Sequence, residues 1–271
     1  MAINHPEVQI ANAIPPLRAK ETRKGTTFQA AIRDTSNVRR EAFLKLLRLE
    51  DIAREVLCAV LARMLGLPIR QAYYVYVEPS YVPGHRAGNR HNLAFGLERE
   101  FYPTFRIAND QINEVVNRWP EALVCGVFDE WIFNTDRLPK NLLYSDIRTY
   151  WMIDHDEALP NSAQPEEVCY SQVLHVLADG RTELELHRIR RDALSVVERL
   201  NNIDWNDVRT YVLLPDVATY GINIHVEKYI RFLSSRIKYM PDILTQSLGI
   251  RQLNMKLENY ISSTELKEEK P

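Results

Sequence analysis

The chain has 271 residues, 45% hydrophobic and 26% charged, the composition of a folded globular protein long enough to bury a substantial core. A net charge of −2 excludes a globally basic chain built for nucleic acid or an anionic membrane surface. The three cysteines Cys58, Cys125 and Cys169 form no C-x-x-C pair, which argues against zinc, and no long apolar N-terminal segment marks a signal peptide or membrane span, so the cytosol is the expected compartment.

Residues 1–14 show no clear period. Pro16–Glu21 is a weak strand, Lys24-Gly25-Thr26 a turn, Thr27–Arg33 a better strand and Asp34–Asn37 a second turn. Glu41–Leu47 alternates, with Ala42, Leu44 and Leu46 on one face and Phe43, Lys45 and Leu47 on the other. Lys45 therefore sits among apolar neighbours. Either it points at nucleotide phosphates, or its stem packs on the sheet while its ammonium reaches water. Leu49–Leu65 has helical spacing, with Ile52, Val56, Ala59, Val60 and Arg63 in one stripe that Leu57, Leu61 and Leu65 widen, and Gly66 and Pro68 end it. Glu55 falls in this helix. A strand lysine followed by a helix glutamate is the ion pair that orders kinase nucleotide sites; a surface acid is the alternative. Pro68–Glu78, rich in Tyr and Val, predicts a strand that completes a β-rich part.

Pro79–Arg90 reads as a loop, with a local basic patch running from His85 to His91. Leu93–Phe105 is apolar and aromatic and takes no firm assignment. Asn109 is a candidate cap for a helix over Asp110–Asn117, and Glu121–Phe133 predicts a helix apolar around most of its circumference. Gln172–Leu177 is short and apolar. Arg188–Leu200, Trp205–Leu213 with Asp204 as its cap, and Gly221–Ile237 predict helices. Pro241–Leu248 and Ile250–Ile261 add two short segments, and Ser262–Pro271 reads as a disordered tail. A β-rich half followed by an α-rich half predicts an α+β fold of two lobes, with a ligand in the cleft between them.

The chemistry lies between Phe128 and Leu159. Asp136 follows the apolar helix, Asn141 comes five residues later, and two short apolar runs, Asn141–Tyr144 and Tyr150–Ile153, lead to Asp154. An Asp, an Asn five residues on and an acid after a hairpin form the layout of a phosphoryl-transfer loop and its metal-binding segment. Asp136 would orient an attacking hydroxyl, and Asn141 and Asp154 would hold magnesium through hard oxygen ligands. Turn residues satisfying nearby backbone are the alternative for each.

The chain resembles the HipA-like kinases of the short, single-domain type. The resemblance is carried by Ala42-Phe-Leu-Lys45, Arg54-Glu55-Val-Leu57, Leu65-Gly-Leu-Pro68, Phe128-Asp-Glu-Trp131, Asn134-Thr-Asp-Arg137, Asn141-Leu142 and Ile153-Asp-His155. It implies a two-lobed protein-kinase-like fold: a small β-rich lobe over residues 1–78, a mainly helical lobe over 79–261, and the tail. It further implies ATP and magnesium as cofactors, a protein serine or threonine as acceptor, and a role for some members as toxins with an antitoxin-like regulatory partner. By position, Asp136 is the catalytic acid or base, Asn141 and Asp154 are the metal ligands, and Lys45 is the phosphate lysine paired with Glu55. Lys140 adds a cation near the transferring phosphate, or is a solvated loop lysine. Two departures stand out. Leu138 occupies a position where family members often carry His, and the phosphate loop offers Gly25 and Thr26 but no glycine-rich repeat. A small-molecule or lipid acceptor, and a kinase-like binding module with weak or no catalysis, are the competing readings. No membrane and no direct nucleic-acid contact are expected.

Overall fold

The computed structural model of the protein describes residues 6–22, 25–82, 93–99, 105–108, 111–137, 139–146 and 149–250. The chain is α+β. Five strands close into a barrel in the order β1 (Gln9–Thr22), β2 (Gly25–Asp34), β3 (Arg39–Lys45), β5 (Leu93–Glu98), β4 (Ala72–Tyr76). The neighbours are antiparallel except β1 and β4, which run parallel and close the barrel with Gln9 opposite Tyr73 and Asn12 opposite Tyr76. A five-stranded barrel is narrow, so small inward side chains such as Ala11, Ala30 and Ala42 face large ones such as Phe28, Leu44 and Tyr73. Gly96 belongs to this filling: a Cβ there would lie 2.6 Å from Val75 Cγ2 and 3.2 Å from Leu44 Cδ2.

β5 comes from the stretch that the sequence pattern does not assign, and it lies beyond Glu78, where the small lobe is expected to end. Leu93 and Phe95 pack outward into the main core while Ala94 packs inward, so both faces are apolar and no alternation marks the strand. β1 is longer than its weak signal, which covers only Pro16–Glu21. Its register breaks between Ile14 and Arg18, around Pro15 and Pro16, which interrupts the pattern.

Helix α1 (Leu49–Met64) lies between the outside of the barrel and the later helices. Residues Ile52 to Arg63 are all buried, because β4 and β5 cover one side and helices α6 (Trp205–Val212) and α8 (Ile222–Arg236) the other. The barrel's outer face, α1 and the helical part therefore share one apolar core. A small sheet joins β6 (Phe105–Arg106), β7 (Leu142–Asp146) and β8 (Thr149–Met152) in the order β6-β7-β8, with helices α2 (Ile112–Arg118) and α3 (Ala122–Trp131) between β6 and β7 in the chain. Helices α4 (Gln172–Ala178), α5 (Glu183–Asn201), α7 (Pro215–Ala218) and α9 (Met240–Ser247) complete the chain.

α5 starts at Glu183 rather than Arg188. Thr182 and Glu185 form a capping box, with Thr182 N–H donating to Glu185 Oε2 at 2.8 Å and Glu185 N–H to Thr182 Oγ1 at 3.4 Å. Asp204 caps α6 as expected, accepting from Asn206 N–H at 2.7 Å. Asn109, the expected cap of α2, lies outside the described residues, as do Lys24, Leu138, residues 83–92, and everything from 251 onward. No described helix is long and apolar enough to cross a membrane.

Candidate active site

Lys45 ends β3 on the outer face of the barrel, directly opposite Thr27 on one side and Phe95 on the other. α1 begins four residues later and runs back across this face, which brings Glu55 over Lys45. The Lys45 ammonium donates to Glu55 Oε1 and, at 2.7 Å, to Asp154 Oδ1. The Glu55 side chain is 1% exposed, against 23% for Lys45 and 29% for Asp154. Its second oxygen, Oε2, accepts the backbone N–H of His155 at 3.0 Å and lies 3.8 Å from His155 Nδ1.

These partners decide the protonation states. Burial alone would lower the Lys45 ammonium, but the Glu55 and Asp154 carboxylates override it and hold it well above the ordinary lysine value. Burial alone would raise the Glu55 carboxyl, but Lys45 and His155 hold it well below the ordinary carboxylate range. His155 is pushed down by burial and by the Arg137 charge, with Glu55 offsetting only part. The group therefore carries an ammonium, a carboxylate and a neutral imidazole near neutral pH.

The loop carrying Asp136 leaves α3 through a sharp reversal. Phe133 has φ 53°, and Asn134 N–H donates to Asp129 O at 2.8 Å. Asn134 Nδ2 donates to Asp129 Oδ1 at 3.0 Å, and its Oδ1 accepts Asp136 N–H at 3.2 Å. Arg137 points the other way. Its guanidinium pairs with Asp129, with Nε 3.1 Å from Oδ2 and Nη2 3.1 Å from Oδ1, and both side chains are 0% exposed. Arg137 Nη1 donates to Ile153 O at 2.9 Å. Burial would lower the guanidinium, and Asp129 more than restores it.

Asn141 closes the loop. Its Nδ2 donates to Asp136 O at 2.6 Å and to Asp136 Oδ2 at 3.3 Å, and its backbone O accepts Ile153 N–H at 3.1 Å at the open end of the β7–β8 hairpin. Lys140 Nζ lies 3.3 Å from Asp136 Oδ2. Asp154 follows with φ 64°, a left-handed conformation that Asp tolerates better than most residues. Arg137 holds the carbonyl before it and Glu55 holds the N–H after it.

Of the residues singled out in the sequence, Lys45, Glu55 and Asp154 meet in one ion-pair group, and Asp136, Lys140 and Asn141 meet in another. The backbone link from Asn141 to Ile153 joins the two. Gly25 and Thr26 belong to the β1–β2 hairpin. They open β2 and pair with Thr22 and Glu21 in the hairpin, just before Thr27, the residue opposite Lys45. The donor set fits a magnesium ion. Asn141 and Asp154 supply hard oxygen, and with its amide nitrogen committed to Asp136, Asn141 keeps its Oδ1 for a cation. Among the described residues no group of three or more His, Cys, Asp or Glu comes together as a metal cage; magnesium sites completed by nucleotide phosphates do not require one.

The roles of Asp129, Asn134, Arg137 and His155 are not apparent from sequence spacing, although all four lie in the segments that carry the resemblance. The available signal is Asp129 itself, one of two adjacent carboxylates, with Glu130, in a largely apolar helix, each of which demands a buried partner.

A strand lysine paired with a helix glutamate, set beside a loop aspartate, an asparagine and a second acid, is the arrangement of kinase-like proteins. The profile of the HipA-like kinases matches residues 45–211, more than half of the chain, and the chain belongs to that family. The family points to a kinase-like phosphotransferase. The match begins at Lys45 and takes in Glu55, Asp136, Asn141 and Asp154, but not Gly25 or Thr26. No curated protein matches the sequence.

Proposed function

We propose that the chain is an ATP- and magnesium-dependent phosphotransferase that acts on a protein serine or threonine hydroxyl. The observation that carries this reading is Lys45, whose ammonium joins Glu55, 10 residues on, to Asp154, 109 residues on. Bound magnesium would neutralise the charge on phosphate oxygens, with Asn141 and Asp154 as its ligands. Lys45, kept aimed by Glu55, offers its ammonium to the same phosphates. Asp136 orients the acceptor hydroxyl and takes its proton, and Lys140, beside it, adds positive charge near the transferring group. Gly25 and Thr26 sit at the hairpin end nearest Lys45 and offer backbone N–H groups to the phosphates. In this reading the barrel is the small lobe, the helices are the large one, and the protein works in the reducing cytosol, where its three buried cysteines stay unpaired.

Calorimetric titration with ATP, with and without magnesium, is the first test. Binding that needs magnesium and is lost in Asp154→Asn supports the metal assignment. Phosphate transfer that vanishes in Asp136→Ala, with ATP binding retained, supports the catalytic one, and full transfer in that variant rejects it. Labelled phosphate found only on a metabolite or lipid would change the acceptor class. A second reading, a kinase-like binding module, draws on Gly25 and Thr26 being strand residues without a glycine-rich loop. A folded protein that binds no nucleotide would favour it.

A further inference from the structure

Hydrogen bonds lead from Asp129 to both groups of the site. The Asp129 side chain is fully buried in the last turns of α3. One branch runs through Asn134: Asn134 Nδ2 donates to Asp129 Oδ1 at 3.0 Å, and Asp136 N–H donates to Asn134 Oδ1 at 3.2 Å. The other runs through Arg137, which is bound to both Asp129 oxygens and donates to Ile153 O at 2.9 Å, the carbonyl immediately before Asp154. A buried, doubly bonded guanidinium has little freedom, because its planar fork is fixed by the carboxylate it meets. Moving Asp129 would move the backbone on both sides of the site.

We infer that Asp129 is a positioning residue that sets the spacing of Asp136 and Asp154 through two separable branches, Asn134 to Asp136 and Arg137 to Ile153. For what those two aspartates do, the inference rests on the phosphotransferase reading; the network itself does not depend on it. A residue that merely stabilised α3 would act on the whole fold. A positioning residue with two branches acts on two short segments, and each branch can be cut alone.

The experiment is amide hydrogen exchange of the full chain without nucleotide, comparing the native protein with Asn134→Ala, Arg137→Lys and Asp129→Asn. Asn134→Ala should speed exchange in the peptide covering residues 134–137 by about tenfold and leave 153–156 at the native rate. Arg137→Lys should do the reverse, because a lysine cannot repeat the forked contact. Asp129→Asn should loosen both. Peptides of α1 should keep native protection throughout.

Magnesium-dependent turnover, measured alongside, should fall about 100-fold in Asp129→Asn, the cost of a displacement near 1 Å. Asn134→Ala should lower kcat with KM for ATP unchanged, whereas Arg137→Lys should raise that KM. Native protection in Asp129→Asn overturns the inference. So does loosening of the same peptides by both single-branch variants, or an exchange rise that extends uniformly to α1. If Asp129→Asn does not fold, the two branch variants decide the matter. A native chain with no turnover but the branch-specific exchange pattern rejects the phosphotransferase reading and leaves the network standing.

Discussion

Glu55 accepts the backbone N–H of His155 at 3.0 Å through Oε2 while its other oxygen accepts from Lys45. One buried carboxylate thus ties a barrel strand to the segment that follows Asp154. It cannot swing away easily. α1 is buried from Ile52 to Arg63, so withdrawing Glu55 would open the barrel's outer core and the α6–α8 packing together. The ion pair is part of the folded core.

Removing Lys45 therefore leaves a buried charge behind. Lys45→Met is expected to destabilise the fold by about 3–5 kcal/mol, the usual cost of breaking one side of a buried pair. Lys45→Met combined with Glu55→Gln should be less destabilised than the sum of the single variants, since the second change removes the stranded carboxylate. Urea unfolding of the four proteins gives the coupling energy. Simple additivity would mean that the two side chains do not depend on each other.

Acid should weaken the same group. Glu55 has a folded pKa below its ordinary value of 4.5, so its contribution is fully present above that pH and is lost as pH falls below it. In that window the unfolded chain binds a proton that the folded chain does not, so stability falls with falling pH. Glu55→Gln should be less stable than the native protein at pH 7, with the gap narrowing steadily below pH 4.5. A gap that stays constant down to pH 3 would show that Glu55 is not held as a carboxylate.

Local pattern made much of this site legible. Alternation placed Lys45 on a strand face, helical spacing placed Glu55, and two short apolar runs announced the β7–β8 hairpin that ends at Asp154. What stayed hidden depends on partners far away in sequence. β5 shows no alternation because the main core covers one face and the barrel interior the other. Barrel closure needs the parallel pairing of Gln9–Asn12 with Tyr73–Tyr76, which no local signal encodes. The apolar stripe of α1, even widened by Leu57, Leu61 and Leu65, understates a helix buried at every position from Ile52 to Arg63, including Arg54. The roles of Asp129 and Arg137 emerge only when the loop folds back on α3.

The segment between Asp154 and α4 is held by side chains from the helical part. Arg236 donates to Gln164 O at 3.2 Å and Pro165 O at 2.8 Å, and to Glu130 O at 3.2 and 3.0 Å. Glu130, also buried, accepts Cys169 N–H at 3.0 Å, Ser171 N–H at 2.7 Å and the Ser247 hydroxyl at 2.6 Å. The chain tolerates left-handed Leu159 and Tyr170, φ 52° and 59°, within this frame. Arg236→Lys removes the fork and keeps the charge. Cleavage after exposed Glu166 and Glu167 by a Glu-specific protease should rise about five- to tenfold, since each net hydrogen bond contributes about 1 kcal/mol. An unchanged cleavage rate would show that other contacts hold the segment.

α3, which carries Asp129, meets α4 at unusually close range. Gly126 makes this approach possible: a Cβ there would lie 2.8 Å from Leu174 Cδ2 and Cγ and 3.2 Å from Leu174 N. Leu174 cannot retreat freely, because Glu130 binds Ser171, the N-cap of α4, and the Ser171 hydroxyl accepts Leu174 N–H at 3.5 Å. Two effects compete in Gly126→Ala. Helix propensity favours alanine by about 1 kcal/mol, and overpacking a filled core costs about 1–3 kcal/mol. Since part of the clash is with backbone, overpacking should win, leaving a net loss of about 1–2 kcal/mol in urea unfolding. Leu174→Ala alone should cost about 2–5 kcal/mol by leaving a cavity. In the double variant the new methyl enters that space, so Gly126→Ala should become neutral or stabilising against a Leu174→Ala background. Gly126→Ala that stabilises the otherwise native chain would mean that α4 can move aside and that the α3–α4 spacing does not constrain Asp129.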